Sequence, residues 1–281
     1  MTTRPHTRVV RVLAHRMGLA LLGLAAALSV AIPVTAQDNA DPAATQRLLE
    51  LLNQERETAS LKPFTLDERL ARAARKHTVL MVKSEELSHQ FPGEDPLILR
   101  LHAENVRSDH DGENIALDAD VELAHLALMQ SPLHRANILN PSFNSVGIAV
   151  VHSGNSVYVT EDFASVMPDY SDFEADAVVQ QTIIDFARAH GLPIPKRRSR
   201  TQLVQMACDM AIADKIDAKP ARAIPGSSSA VAWTATDLKK LPAGLKSILE
   251  KPVVGPYSLG VCFSTSASQP SGVYWLIFVT Y

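Results

Sequence analysis

A pattern of helix-forming and strand-forming segments occupies residues 44–164 and returns in weaker form from about residue 172 onward. The segment around Leu203 resembles the segment around Leu70, and Ser258-Leu259-Gly260-Val261 resembles Ser145-Val146-Gly147-Ile148. Likewise, Val273-Tyr274-Trp275-Leu276 is matched with Val157-Tyr158-Val159-Thr160. Because repeated units fold into the same supersecondary structure, this similarity predicts two related lobes. The second copy is shorter by about 23 residues, so it is predicted to be degenerate.

Hydrophobic periodicity predicts the elements of the first copy. Apolar residues lie on one face of a predicted helix over residues 44–58, and Asp67 is the predicted N-cap of a second helix. His77 lies on the apolar stripe of that second helix and is interpreted as a packed core residue. The further predicted elements are a loop-rich stretch over residues 84–112, helices over 121–130 and 131–139, and strands over 146–151 and 157–164 with a hairpin turn at 153–155.

The first 36 residues have the order of a secretory signal peptide. Four arginines and no acidic residue are followed by an apolar run from about Leu19 to Val34 and by small residues up to Ala36. An uncleaved N-terminal anchor is the alternative. We expect a cleaved signal peptide at 1–36, a first domain at 37–170, a degenerate second domain at 171–281, and a secreted or periplasmic protein.

The predicted mature chain is acidic, with 23 basic and 30 acidic residues once the four leader arginines are removed, a net charge of −7. Phosphate recognition needs clustered lysine and arginine, so nucleic acid is excluded as a partner. The basic run over residues 196–200 lies in a proline-flanked loop and is interpreted as a solvated connector. The two cysteines, Cys208 and Cys262, lie among apolar residues, so a disulfide and a pair of buried thiols are both open.

Three polar side chains of the first copy could carry chemistry: His89, Glu113 and His134. Two imidazoles and one carboxylate can form a first shell for zinc or another divalent metal, with water completing it. The second copy has Gly244 at the place of His134. Ser131 is interpreted as an N-cap whose hydroxyl binds backbone N–H groups, because Pro132 follows it. It is therefore not taken as a nucleophile.

Several motifs follow one another over about residues 44–166. They are Leu51-Leu52-Asn53-Gln54-Glu55-Arg56, Leu70-Ala71-Arg72-Ala73-Ala74-Arg75-Lys76-His77, Leu87-Ser88-His89, Gly112-Glu113-Asn114-Ile115-Ala116, Ser131-Pro132-Leu133-His134-Arg135-Ala136-Asn137-Ile138-Leu139 and Thr160-Glu161-Asp162-Phe163. In content and order they resemble the bacterial branch of the CAP superfamily, which comprises cysteine-rich secretory proteins, antigen-5 and pathogenesis-related proteins.

The resemblance implies an α–β–α sandwich, followed here by the smaller degenerate repeat, with a cleft that holds two histidines and two acids. His89 and His134 would be the histidines and Glu113 one acid. Asp162 is assigned as the second acid, with Glu122 as the alternative. The family's tryptophan before the Ser-Pro turn is replaced by Leu128.

Three functions fit these features. The first is an exported binding module whose cleft takes a divalent metal or a small ligand. The second is a metal-assisted hydrolase with Glu113 as the base. The third, by resemblance, is capture of a lipid or sterol in an apolar groove. The C-terminal repeat, which lacks the polar set, offers a surface for a protein partner.

Overall fold

The N-terminal part of the protein is a four-stranded sheet with helices on both faces. The structure is a computed structural model that describes residues 41–199, 201–251 and 254–281, so the predicted signal peptide lies outside the described residues. The helices are α1 (Pro42–Thr58), α2 (Glu68–Ser84), α3 (Leu97–Ala103), α4 (Val121–Gln130) and α5 (Pro132–Ile138), and the strands are β1 (Thr65–Leu66), β2 (Ser108–Asp118), β3 (Ser145–Ser153) and β4 (Ser156–Val166).

The strand order is β1-β3-β4-β2, which puts β2 at one edge of the sheet. Helices α1, α4 and α5 pack on one face through a core that includes Leu52, Leu128 and Phe163. Helix α2 packs on the other face with Leu70 and with Leu101 of α3. This arrangement is the predicted α–β–α sandwich.

Local sequence signals explain most of the element boundaries. The side chain of Asp67 accepts hydrogen bonds from the backbone N–H groups of Arg69 and Leu70, which confirms it as the N-cap of α2. Pro132 is the first residue of α5, as predicted. The prediction for the Ser131 side chain is wrong, because its hydroxyl makes no capping hydrogen bond. The loop predicted over 84–112 also contains α3 and the start of β2.

The C-terminal part forms a second sheet of three strands, in the order β5-β7-β6. The last of its strands, β7, lies between β5 and β6, just as β4 lies between β2 and β3 in the first sheet. The described residues belong to one compact unit that contains both sheets. The elements are α6 (Asp172–Ala189), α7 (Thr201–Ile212), α8 (Lys219–Arg222), β5 (Ser229–Ala235), α9 (Ala243–Leu249), β6 (Tyr257–Ser264) and β7 (Val273–Thr280). None of the helices in the described ranges is long and apolar enough to cross a bilayer.

A glycine brings a helix against a strand in both sheets. A Cβ atom on Gly147 would lie 2.1 Å from the backbone carbon of Leu70, and one on Gly260 would lie 2.2 Å from that of Leu203. Only glycine permits so close an approach of helix and strand. Sequence similarity pairs these same residues, so the shared contact supports the predicted repeat, which stays a prediction.

The glycine contacts also correct the predicted match between β4 and β7. Gly147 pairs with Asp162 across the first sheet, and Gly260 pairs with Ile277 across the second. If the two sheets are copies of one unit, Ile277 is the counterpart of Asp162, and Val273 is the counterpart of Tyr158 rather than of Val157. The predicted match is one residue out of register, a shift that would move every side chain to the opposite face of the sheet.

Candidate functional site

The structure brings His89, Glu113 and His134 together at the edge of the first sheet. Glu113 lies on the edge strand β2, His89 on the loop after α2, and His134 in the first turn of α5. The ring centroids of His89 and His134 are 6.4 Å apart. The side chain of His89 is 56% exposed, so its ring is accessible from solvent. We call the space between the two imidazoles the histidine cleft.

Both carboxylate oxygens of Glu113 are occupied by neighbouring side chains. His89 Nδ1 donates to Oε1 at 2.9 Å, and Arg100 Nη2 donates to Oε2 at 2.6 Å. Burial raises the pKa of Glu113, but the hydrogen bond from His89 and the charge of Arg100 outweigh it, and the pKa is lowered overall. Glu113 is thus an ionised residue that orients His89 and leaves the Nε2 atom of His89 for the cleft.

Asp162 lies on β4 directly across from Glu113 and has no exposed surface. Neither of its carboxyl oxygens has a hydrogen-bond partner among the described residues. Burial and the negative charge of Glu113 raise the pKa of Asp162 well above its ordinary range. The structure therefore does not bring Asp162 to the surface that the histidines share. Its alternative, Glu122, lies on α4 and binds Arg47 at 3.0 Å.

Sequence reasoning missed Arg100, which binds Glu113, and Glu94, which lies beside Arg100. Glu94 Oε1 lies 2.7 Å from His77 Nδ1 and 3.7 Å from Arg100 Nη1. Glu94 is therefore a second acid that is linked to the site through His77 and Arg100. His77 Nε2 lies 2.8 Å from the carbonyl oxygen of Ser88, so both ring nitrogens are occupied. His77 is a buried packed residue, as its position on the apolar stripe predicts. The Pro92-Gly93 turn, which folds Glu94 back toward α2, is the one signal that could have found it.

A network of amides fixes His134 from the other face of β2. Asn114 Nδ2 donates to the carbonyl oxygen of His134 at 3.2 Å and to Glu161 Oε2 at 3.0 Å. Asn137 Nδ2 donates to Asn114 Oδ1 at 3.0 Å and to the carbonyl oxygen of Glu113 at 3.2 Å. These bonds hold α5 against the edge strand. Partial burial, and secondarily the charge of His89, lower the pKa of His134, which favours the neutral imidazole that a metal requires.

Glu161 gives the cleft region a testable dependence of stability on pH. Burial raises its pKa from 4.5 to about 7, although Asn114 donates to it. The folded protein therefore keeps the proton of Glu161 as the pH rises from 4.5 to 7, while the unfolded chain releases it. Glu161 should lower the free energy of unfolding by about 3 kcal/mol across that interval. We expect Glu161→Gln to remove this decrease and to be more stable than wild type at pH 7.

The measurement is urea unfolding of both proteins at pH 4.5 and at pH 7. Other groups titrate in the same interval, so the informative quantity is the difference between wild type and Glu161→Gln. Glu57→Gln is a matched control, because Glu57 is exposed near the end of α1. A difference that does not change with pH would show that Glu161 titrates normally.

As donors for a metal, the cleft offers two imidazoles. Two imidazoles on one tetrahedral zinc have ring centroids roughly 5 Å apart, so the observed 6.4 Å requires a small ring rotation. His89 is already oriented by a carboxylate, the usual support for a metal-binding histidine. Within residues 41–199, 201–251 and 254–281 no group of three or more His, Cys, Asp or Glu side chains is arranged to hold a metal ion. Any further ligands would be water or part of a bound molecule.

Comparison with known proteins matches the first sheet and its helices. Residues 49–166 match the model of the cysteine-rich secretory protein family, CAP. The YkwD protein of Bacillus subtilis is 34% identical over 111 residues, which are 39% of this chain and 43% of that protein. The chain therefore spans less than half the length of this relative.

Two solved structures are also similar to this part of the chain. One is an extracellular protein with an SCP domain from Bacillus anthracis, 29% identical, with a TM-score of 0.40 over 43% of this chain and 40% of that chain. The other is a cysteine-rich secretory protein from Staphylococcus aureus, 25% identical, with a TM-score of 0.37 over 47% and 40%. The motifs around His89, Glu113 and His134 all lie within residues 49–166, so this part of the chain forms a CAP-family domain.

Proposed function

We propose that the histidine cleft binds a divalent metal ion, zinc or a similar ion, and that the protein acts as an exported binding module of the cell envelope. The observation that carries this proposal is the bond from His89 Nδ1 to Glu113. It fixes the tautomer in which Nε2 of His89 is an acceptor, on a ring that is largely exposed and whose centroid lies 6.4 Å from that of His134. His89 and His134 would hold the ion, and Glu113 would position His89 rather than bind the metal.

The environment of Glu113 favours binding over hydrolysis. A general base works best with a pKa near the working pH. The pKa of Glu113 is lowered instead, and Arg100 occupies Oε2 at 2.6 Å. A carboxylate so neutralised is a weak acceptor for a proton from water. The metal-bound state would supply a positive charge and open coordination positions for a small anionic or neutral ligand.

The test is a zinc titration by calorimetry on the purified protein. We expect saturable binding in wild type and none in His89→Ala/His134→Ala, because both proposed ligands are removed. Glu113→Gln should weaken binding by roughly 10- to 100-fold, as loss of a carboxylate behind a metal-binding histidine does. His190→Ala, which removes a solvent-exposed histidine at the C-cap of α6, is the matched control.

The comparison requires that His89→Ala/His134→Ala has the same melting temperature as wild type, which shows that the variant is folded. Binding that survives in a folded His89→Ala/His134→Ala protein would overturn the proposal. A lipid or sterol function would then be the next to test, since its ligand would not depend on the two histidines.

A further inference from the structure

Strand β5 leaves one side of the second sheet without a partner strand. The order β5-β7-β6 gives β5 a neighbour on one side only. In an antiparallel ladder, alternate residues of such an edge strand direct their N–H and C=O groups outward. Among residues 41–199, 201–251 and 254–281, no strand and no backbone hydrogen bond from another segment pairs with the outer side of residues 229–235. Five of these seven residues are only partly buried, whereas every residue of β7 is buried.

Strand β2 forms the corresponding edge of the first sheet and is protected against pairing with a further strand, whereas β5 is not. Strand β2 carries Asp109, Asp111 and Asp118, and the Asn137 side chain caps an outward carbonyl oxygen, that of Glu113. Charged residues on an edge strand prevent further strands from adding. Strand β5 reads Ser-Ala-Val-Ala-Trp-Thr-Ala, with no charged residue and no proline. Its free backbone groups are therefore open to another strand.

We propose that the β5 edge is a homodimer interface, in which β5 of two copies pair antiparallel about a twofold axis at Ala232 and join the two sheets into one of six strands. The sequence of β5 is self-complementary in this register. Trp233 of one copy lies opposite Val231 of the other, and Ala230 lies opposite Thr234. Aromatic and β-branched residues are favourable cross-strand pairs. Centring the axis on a neighbouring residue would leave part of β5 unpaired.

Charges at the ends of β5 also fit this pairing. Lys251 Nζ lies 3.4 Å from Ser229 Oγ, at the first residue of the strand. Asp237 follows the last residue of the strand by two positions and is 46% exposed. In the antiparallel dimer, the start of one β5 lies beside the end of the other. Lys251 of each copy therefore lies at the same end of the ladder as Asp237 of the other copy. The twofold axis makes this pair of opposite charges occur twice in the dimer. This interface is separate from the histidine cleft and does not depend on the proposed function.

The first measurement is sedimentation of the wild-type protein over a concentration series, in which we expect a shift from the monomer mass to twice that mass. The second measurement tests the register with single cysteines. Cysteines at Ala232 would have Cα atoms roughly 4.5–5.5 Å apart across the axis, within disulfide range. Cysteines at Ala235, the matched control, would lie about 20 Å apart along the ladder.

Under mild oxidation we expect a covalent, reducible dimer from Ala232→Cys and none from Ala235→Cys. A wild-type protein that stays monomeric at every concentration overturns the proposal, whatever the variants do. A wild-type dimer in which folded Ala232→Cys and Ala235→Cys crosslink equally, or not at all, overturns the β5 pairing. If Ala232→Cys does not fold, the sedimentation result decides. The β5 edge is then tested by Ala232→Lys and Thr234→Lys, each of which should dissociate the wild-type dimer.

Discussion

Replacing Arg56 with methionine is expected to lower the free energy of unfolding by about 4 kcal/mol. The Arg56 side chain, on α1, is almost fully buried. It donates hydrogen bonds of 2.7–3.1 Å to the carbonyl oxygens of Lys62, Ile138, Asn140 and Phe143. Methionine fills much of the same space but donates no hydrogen bond, so four largely buried acceptors lose their partner. Each such loss costs about 1–3 kcal/mol, with partial relief where water can enter.

The same bonds explain why Arg56 matters for the histidine cleft. Three of its four acceptors lie between the end of α5 and the start of β3, so the guanidinium group holds the C-terminal end of the helix that carries His134. Its guanidinium also lies 3.7 Å from the ring centroid of Phe64. Burial lowers the pKa of Arg56, because the guanidinium group is removed from water.

Urea unfolding followed by circular dichroism measures this effect. Arg47→Met on the exposed side of α1 is the matched control, and surface ion pairs like those of Arg47 contribute about 0–1 kcal/mol. Arg56→Lys keeps the charge but cannot reach four acceptors, so we expect an intermediate loss. If Arg56→Met unfolds within about 1 kcal/mol of wild type, water replaces the guanidinium and the anchoring role is wrong.

The parts of the fold that the sequence predicts correctly depend on local interactions. The apolar faces of α1 and α2 and the N-cap Asp67 involve residues within one or two turns of each other. The β3–β4 hairpin is also local, with Gly154 in the left-handed conformation that its turn requires. These features are set by neighbours in the chain, which a single sequence displays.

The parts that the sequence did not predict depend on distant contacts. Strand β2 has aspartates on both sides of His110 and lacks a clean alternation, because it lies at the sheet edge beside the histidine cleft. Glu94 joins the site through His77, a residue on another element. The assignment of Asp162 as the second acid depends on the family resemblance, which includes the strand motif Thr160-Glu161-Asp162-Phe163. Its burial, however, follows from the packing of α2 and α3 over β4, which no local pattern encodes.

Removing the disulfide is expected to have the second large effect on stability. The sequence left open whether Cys208 and Cys262 are bonded, since both lie among apolar residues. The structure shows them joined, with Cα atoms 5.3 Å apart and a sequence separation of 54. Closing a loop of that length in the unfolded chain is worth about 4 kcal/mol in the chain-entropy model. The double variant Cys208→Ala/Cys262→Ala should lose about that much free energy of unfolding.

The bond links α7 to β6, and the same pair of elements meets at the close contact of Gly260 with Leu203. The loss should therefore fall on the C-terminal sheet first, and a zinc titration of the histidine cleft should be unchanged while the variant stays folded. Wild type measured in dithiothreitol should reproduce the lower stability of the double variant, since reduction removes the same constraint. If reduced wild type and the double variant both unfold at the same urea concentration as oxidised wild type, the crosslink does not stabilise the protein and the chain-entropy account is wrong here. If only the alanine variant is destabilised, the cost comes from the lost sulfur packing in the core rather than from the crosslink.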